Sequence, residues 1–341
     1  MDLEQIKRAQ FAAREPDVPL FWQTLSTYAK GDYLMLAKPP LSEVYYLNSS
    51  GNIESEIGYN TFRKVENVKE IILKYSSFLD RLEDFSKRLK KENIRGIEDE
   101  EIKKLFYEII EFLSEVMEIY KYTEAARFEK IEKHIYNFLD KKIEDKNKVK
   151  EILLKLISNE KTTGVMNEEK SNLLRVFGAD DEIYNFVFAV SKLSYLRFKL
   201  KENLMKVVQE DIYPILQEIG TRFKITLEEM FITKIDEFEK ILDGKTKPLE
   251  EIYKKRMKGY AFLQLNGKRE VIEGTEFERL DEHIHNLTIK KEITEIKGQT
   301  AMKGKIIGKV RKIMDYEREM KNFIERFKKG DIIVTGMTQQ T

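Results

Sequence analysis

The sequence contains no cysteine, and this excludes several kinds of chemistry at once. Without thiols the 341 residues form no disulfide, no zinc–thiolate or iron–sulfur site and no thiol nucleophile. Such a composition fits a reducing compartment, so we expect a cytoplasmic protein. Only 6 prolines and 16 glycines interrupt the chain, which therefore has few helix breakers.

An excess of charge of one sign is lacking as well, and so are long hydrophobic runs. The 61 basic and 60 acidic side chains give a formal net charge of +1, which attracts neither a polyanion nor an anionic membrane. No window approaches the roughly 18 consecutive apolar residues of a membrane-spanning helix. The charged segment 1–10 lacks the apolar core of a signal peptide. We therefore predict no membrane and no nucleic-acid partner.

Helix-forming sequence is abundant. Apolar residues spaced three and four apart predict long helices over 68–89 and 98–120, and their apolar faces are wide enough for a multi-helix bundle rather than a two-stranded coiled coil. Further helices are predicted over 125–141, 148–157, 167–178 and 180–223, the last divided or kinked at Pro214. The fold class is thus α+β and predominantly α-helical.

Strand signals occur at the two ends of this helical region. Segments 32–37, 43–47 and 52–57 predict a small N-terminal antiparallel sheet, preceded by a short helix over 3–14. Segment 20–29, with Trp22, is predicted to join the core. Asn266-Gly267 lies between two apolar runs and is a strong hairpin signal, so a β-hairpin is predicted over 260–272.

The last 50 residues differ again, because glycines punctuate short strand-like segments. The predicted order is a strand over 292–296, a strand over 305–313, a helix over 316–328 and a strand over 331–335. We therefore divide the chain into an N-terminal segment 1–60 with the small sheet, a helical domain 61–290 that includes the hairpin, and a C-terminal unit 291–341.

The three histidines offer little as metal ligands. His134 lies on a predicted helix with no second ligand at the i+4 spacing, which favours a surface or satisfied, partly buried histidine. His283 and His285 are two residues apart, so on a helix their side chains diverge and do not share one ion. The basic run 87–91, with Arg95, is a candidate phosphate contact, but its place near a helix C-terminus favours a solvated helix face.

The C-terminal unit carries a resemblance to a known family. Its two matching runs are IKGQTAMKGKIIGKVRKI at 296–313 and FKKGDIIVTGMT at 327–338. They resemble the swivelling phosphohistidine domain of phosphoenolpyruvate-utilising phosphotransferases such as phosphoenolpyruvate synthase, pyruvate phosphate dikinase and rifampicin phosphotransferase. Segment 193–274 is similar, more loosely, to the helical linker before that domain. The matching positions are Gly298, Ala301, Gly304, Gly308, Val310, Arg311, Phe327, Gly330, Asp331, Ile333, Val334, Thr335, Met337 and Thr338.

The resemblance implies a carrier of phosphoryl groups. In the family, a histidine on the swivelling domain takes a phosphoryl group at a nucleotide-binding site and delivers it at a distant one, with Mg²⁺ and ATP or phosphoenolpyruvate. It also implies a partner, a nucleotide-binding ATP-grasp-type domain or subunit, and leaves a homo-oligomer open.

This chain departs from the family pattern at two places. Met302-Lys303 replaces a small residue and a proline. The family's phospho-accepting histidine follows the strand that matches 332–335, and no histidine of this chain holds that position. We therefore assign no catalytic, cofactor-binding or metal-ligating residue, and expect an incomplete α/β module, a fragment whose phosphohistidine lies beyond Thr341. A non-catalytic helical interaction protein that retains the mobile module is the alternative.

Overall fold

A five-stranded antiparallel sheet joins strands from both ends of the helical region. The computed structural model describes residues 3–16, 31–39, 41–160, 165–244, 250–288, 306–313 and 328–335. The sheet has the order β1-β3-β2-β4-β5. Its strands are β1 Ala9–Pro16, β2 Tyr33–Lys38, β3 Leu41–Leu47, β4 Tyr260–Leu265 and β5 Lys268–Glu273.

The centre of the sheet is the pairing of β2 with β4. Tyr33 pairs with Gln264 and Ala37 with Tyr260, so strands from the predicted segments 1–60 and 61–290 share one sheet. The hairpin of β4 and β5 confirms the prediction made from Asn266-Gly267. Both turn residues have positive φ, +51° and +76°, as the tight turn that matches the strand twist requires.

Two N-terminal predictions are wrong. Segment 52–57 is not a strand but part of helix α1, Ser50–Phe62, whose buried face carries small and polar residues such as Gly58, while the apolar Ile53 is 46% exposed. The predicted helix over 3–14 is instead a single 3₁₀ turn, Leu3–Gln5, followed by β1. Pairing with the free edge of β3 satisfies the backbone of β1, and this outweighs its helical composition.

The remaining helices follow the predicted order. After α1 they are α2 Val65–Leu89, α3 Asp99–Tyr120, α4 Ala125–Asp140, α5 Lys146–Ile157, α6 Glu168–Val176, α7 Asp181–Val207, α8 Tyr213–Phe223, α9 Leu227–Phe231, α10 Ile235–Leu242, α11 Glu250–Arg256 and α12 Thr275–Thr288. This confirms a predominantly helical α+β fold with a small antiparallel sheet. Within the described ranges, no helix is both long enough and apolar enough to cross a bilayer.

Local sequence explains where several helices begin and break. The side chain of Asn167 accepts a hydrogen bond from the Glu169 N–H at 2.7 Å, and that of Asp180 accepts one from Ile183 at 2.9 Å, so each satisfies a helix-end donor. The predicted division near Pro214 is confirmed. A π-helical turn, Val208–Ile212, separates α7 from α8 just before the proline, which has no N–H to continue the ladder.

The sheet is buried on both faces, which explains why β2 is apolar from Tyr33 to Ala37. Tyr33, Met35 and Ala37 belong to the core of the helical body, whereas Leu34 and Leu36 face a second core. Helix α12 covers that second core with its buried apolar residues Phe277, Leu280 and Ile284. The sheet is therefore a middle layer between the helical body and α12.

The C-terminal residues that the structure describes form a separate, two-stranded parallel sheet. Strand β6, Val310–Ile313, pairs with β7, Ile332–Thr335, without a register shift. The strand predicted over 305–313 is thus shorter, and that over 331–335 agrees within one residue. Three further predictions lie outside the described residues: the strand over 292–296, the core segment 20–29 and, except for residue 328, the helix over 316–328.

Candidate functional site

Two places in the structure bring chemically distinctive residues together. One is the parallel pair β6–β7, where the family resemblance falls. The other is a cavity between the sheet and the helical body, which we call the junction pocket and define by Gln10, Tyr46, Phe128, Glu129, Glu132 and Arg197.

The strand pair is held by its resemblance positions. The Nε of Arg311 donates to Oδ2 of Asp331 at 3.0 Å, and the Lys328 N–H donates to the same oxygen at 3.1 Å. Both contacts hold the pKa of Asp331 below its usual range, and the hydrogen bond from the Lys328 backbone N–H has the larger effect. A Cβ added at Gly308 would lie 2.0 Å from the Gly330 carbonyl oxygen, so the two segments approach as closely as glycine permits.

The histidines lie on two helices, and two of them make contacts that suit packing. On α4, His134 has its Nδ1 3.4 Å from the Tyr59 hydroxyl. On α12, the Nε2 of His283 lies 2.8 Å from the Ile6 carbonyl oxygen, and His285 is exposed. Among the residues that the structure describes, no three His, Asp or Glu side chains converge as metal ligands.

Acidic side chains neighbour much of the basic run. Lys87 pairs with Glu83 at 2.7 Å within α2, and Arg88 pairs with Glu108 of α3 at 2.6 Å. The guanidinium of Arg88 also lies over the Phe85 ring at 5.1 Å. These two positive charges of the run are therefore matched locally, as on a solvated helix face.

The junction pocket has a cavity volume of about 370 Å³ and draws its walls from four elements. Gln10 comes from β1, Tyr46 from β3, Phe128, Glu129 and Glu132 from α4, and Arg197 from α7. The amide of Gln10 donates to Oε2 of Glu129 at 3.2 Å, which links the sheet edge to α4.

Two residues that line this pocket, Tyr46 and Arg197, are held by hydrogen bonds to neighbouring polar groups. The buried Tyr46 hydroxyl donates to Glu124 in a short hydrogen bond. Burial is the main cause that raises the pKa of Tyr46, and the charge of the nearby Glu54 carboxylate raises it further. The phenol therefore stays protonated and acts as a donor. Arg197 donates from Nε to the Tyr120 hydroxyl at 2.9 Å and from NH1 to the Thr123 carbonyl at 3.2 Å.

Sequence analysis missed these residues, because the fold gathers them from distant parts of the chain. One local signal existed. Glu129 and Glu132 are three residues apart on a helix, so two like charges share one face, which is unfavourable unless the face has a use. The structure makes that face one side of the pocket. Tyr46 and Arg197 carry no sequence signal of this kind.

Comparisons with known proteins add no assignment. The chain matches no protein-family model, no curated protein and no solved structure. Functional inference therefore rests on the residues and on their geometry.

Proposed function

We propose that this chain is a component of a phosphoenolpyruvate-utilising-type phosphotransferase of the cytoplasm and helps to relay a phosphoryl group through a phosphohistidine. The observation that carries the proposal is the parallel pairing of β6 with β7. Parallel pairing of strands is typical of α/β modules, in contrast to the antiparallel pairing of the five-stranded sheet. Four positions of the resemblance contribute to this pair: Gly308 and Gly330 allow the close approach of the two segments, and Arg311 pairs with Asp331.

A mobile carrier explains why such a unit would accompany a large helical body. Phosphoryl transfer needs the reacting atoms in close contact, so donor and acceptor sites that lie apart require a domain that moves between them. None of His134, His283 and His285 lies near the strand pair in the sequence. The proposal therefore requires that the phospho-accepting imidazole be supplied by residues outside these 341.

Donor and metal are assigned to the partner. Within the described ranges no acidic cluster suits Mg²⁺. The proposal accordingly places ATP or phosphoenolpyruvate and Mg²⁺ in an ATP-grasp-type domain or subunit, and this chain contributes the strand pair and the helical body.

Phosphate incorporation into the natural gene product tests this function. With Mg²⁺, the nucleotide-binding partner and radiolabelled ATP or phosphoenolpyruvate, we expect an acid-labile, base-stable phosphate on the protein. Gly308→Val should abolish the label, because its side chain would collide with the Gly330 carbonyl, while Ile307→Ala, at a position 87% exposed, should keep it. Replacing all three histidines by glutamine should also keep it. No label with either donor would refute the proposal.

The second candidate is a non-catalytic helical interaction protein that retains the mobile module. It is favoured by buried charges that neutralise one another, as structural pairs do: Arg127 Nε lies 2.8 Å from Glu54, and Lys192 Nζ lies 3.0 Å from Glu160. A stable complex with a defined protein partner, formed without any transfer of phosphate, would support this candidate over the relay.

A further inference from the structure

The junction pocket is large enough for a small molecule and has charged groups of both signs. Its volume of about 370 Å³ lies within the usual range for ligand sites, roughly 300–1,000 Å³. Buried Tyr46 and Phe128 form the inner surface, and Phe11, 52% exposed, stands at the rim.

The acidic side consists of Glu129 and Glu132. Glu132 is half-buried, and within the described ranges its carboxylate has neither a hydrogen bond nor an ion pair. Glu129 stands one helical turn away, with one oxygen on the Gln10 amide. Burial, and then the charge of Glu129, raises the pKa of Glu132. A cation placed between the two carboxylates would offset both effects.

The basic side is the guanidinium of Arg197. Its Nε and NH1 are fixed by Tyr120 and Thr123, and among the described residues no carboxylate lies within ion-pair distance of it. NH2 makes no hydrogen bond with them either. An arginine that is held in place and keeps a donor unused is prepared to bind a carboxylate. Burial acts to lower the pKa of Arg197, whereas the charge of the nearby buried Glu124 helps to hold it above the usual range. No ion pair between these two side chains occurs within the described ranges.

We propose that the junction pocket binds a small zwitterion, with its ammonium group at Glu129 and Glu132, its carboxylate at Arg197 and its aliphatic part against Phe128. A polyphosphate would meet two carboxylates, and a neutral apolar molecule would leave the charges on both sides unmatched. This inference does not depend on the phosphoryl relay.

Calorimetric titration of the purified chain with matched probes tests the site. The probes are ω-amino acids from glycine to 6-aminohexanoate, with pentanoate and pentylamine as ligands that carry only one of the two charges. We expect the best-fitting amino acid to bind at least about tenfold more tightly than either singly charged probe. Its affinity should fall as the pH is lowered and Glu132 becomes protonated.

Two variants and a control locate the binding. Glu132→Gln should weaken the best probe by about tenfold or more. Ser194→Leu, which fills the cavity from α7, should abolish binding even if Glu132→Gln folds poorly. Glu92→Gln, at an exposed position outside the pocket, should bind as the unaltered chain does. The proposal is overturned if no amino acid of the series binds, if pentanoate or pentylamine binds equally well, or if Ser194→Leu leaves the affinity unchanged.

Discussion

Replacing Arg256 by methionine should cause one of the largest single losses of stability in this fold. The guanidinium donates to both oxygens of Glu237, at 2.6 and 2.8 Å, to Glu273 at 2.6 Å and to the Ile232 carbonyl at 2.8 Å. Arg256 is 2% exposed. One side chain of α11 thus connects β5, the C-terminus of α9 and α10.

The size of the loss follows from what the substitution leaves behind. Methionine fills much of the same volume, but Glu237, 7% exposed, stays buried without its bidentate partner. Removing one member of such a pair costs about 3–5 kcal/mol. Lys234 lies 3.4 Å from the same carboxylate and compensates in part, so we expect a value near the lower limit, about 3 kcal/mol.

The loss should depend on pH in a defined direction. In the unaltered chain, burial acts to raise the pKa of Glu237, but the hydrogen bonds from Arg256 outweigh it and the pKa lies below its ordinary value. The contribution of this lowered pKa to the free energy of unfolding is fully present above the carboxyl pKa of the unfolded chain, about 4.3. It is lost as the pH falls through the lower pKa of the folded chain. Burial is the largest single influence on this pKa, so with Arg256 removed we expect acid to favour the folded variant and its deficit to shrink towards about pH 5, although Lys234 still acts in the opposite direction.

Urea unfolding followed by circular dichroism at about pH 7 and about pH 5 measures both effects. Arg256→Lys keeps the charge without the planar fork and should lose less than Arg256→Met. The matched control is Lys254→Met on the same helix, whose pair with Glu251 is 68% and 84% exposed and should contribute less than about 0.5 kcal/mol. A loss for Arg256→Met no larger than that of Lys254→Met, or one that grows at low pH, would refute this reasoning.

Three further substitutions probe other parts of the fold. Gly58→Ala places a Cβ 2.1 Å from the Arg127 carbonyl oxygen and should cost about 1–3 kcal/mol in urea unfolding; an unchanged midpoint would show that α1 and α4 separate freely. Tyr46→Phe removes the buried donor to Glu124 and should lower stability by about 1–3 kcal/mol, an expectation that a neutral result in the same assay would contradict. Gly267→Ala meets no steric obstacle but keeps a φ of +76°, so thermal unfolding should report a cost of about 1 kcal/mol; a rise in melting temperature would argue against the hairpin turn.

The long helices and the hairpin were predictable because their signals are local. In α2 and α3 the apolar residues repeat at helical spacing over many turns, so one periodicity outweighs every alternative. Asn167 and Asp180 end the flanking loops by capping nearby N–H groups, and Asn266-Gly267 supplies the positive φ of its own turn. Such interactions connect residues only a few positions apart, and the order of residues alone therefore specifies them.

Only the tertiary structure decided the two N-terminal elements β1 and α1. Segment 52–57 has apolar residues at two spaced positions, yet it lies in α1, which buries Glu54 and Gly58 instead, because Arg127 of α4 pairs with the first and closely approaches the second. Strand β1 exists because the edge of β3 is available to it. No local pattern encodes a partner that lies so far along the chain.

The contrast between local signals and long-range contacts also distinguishes the two candidate sites. Glycines and apolar runs predict short strands at the positions of β6 and β7, whereas the parallel pairing of these strands came from the tertiary structure; the phosphoryl relay stays a prediction. Apart from the like-charged pair Glu129 and Glu132, the junction pocket has no local signal in the sequence, since Tyr46, Glu132 and Arg197 become neighbours only when the sheet packs on α4 and α7. Backbone preference and spacing determined the elements, whereas burial and long-range pairing determined which side chains share a cavity.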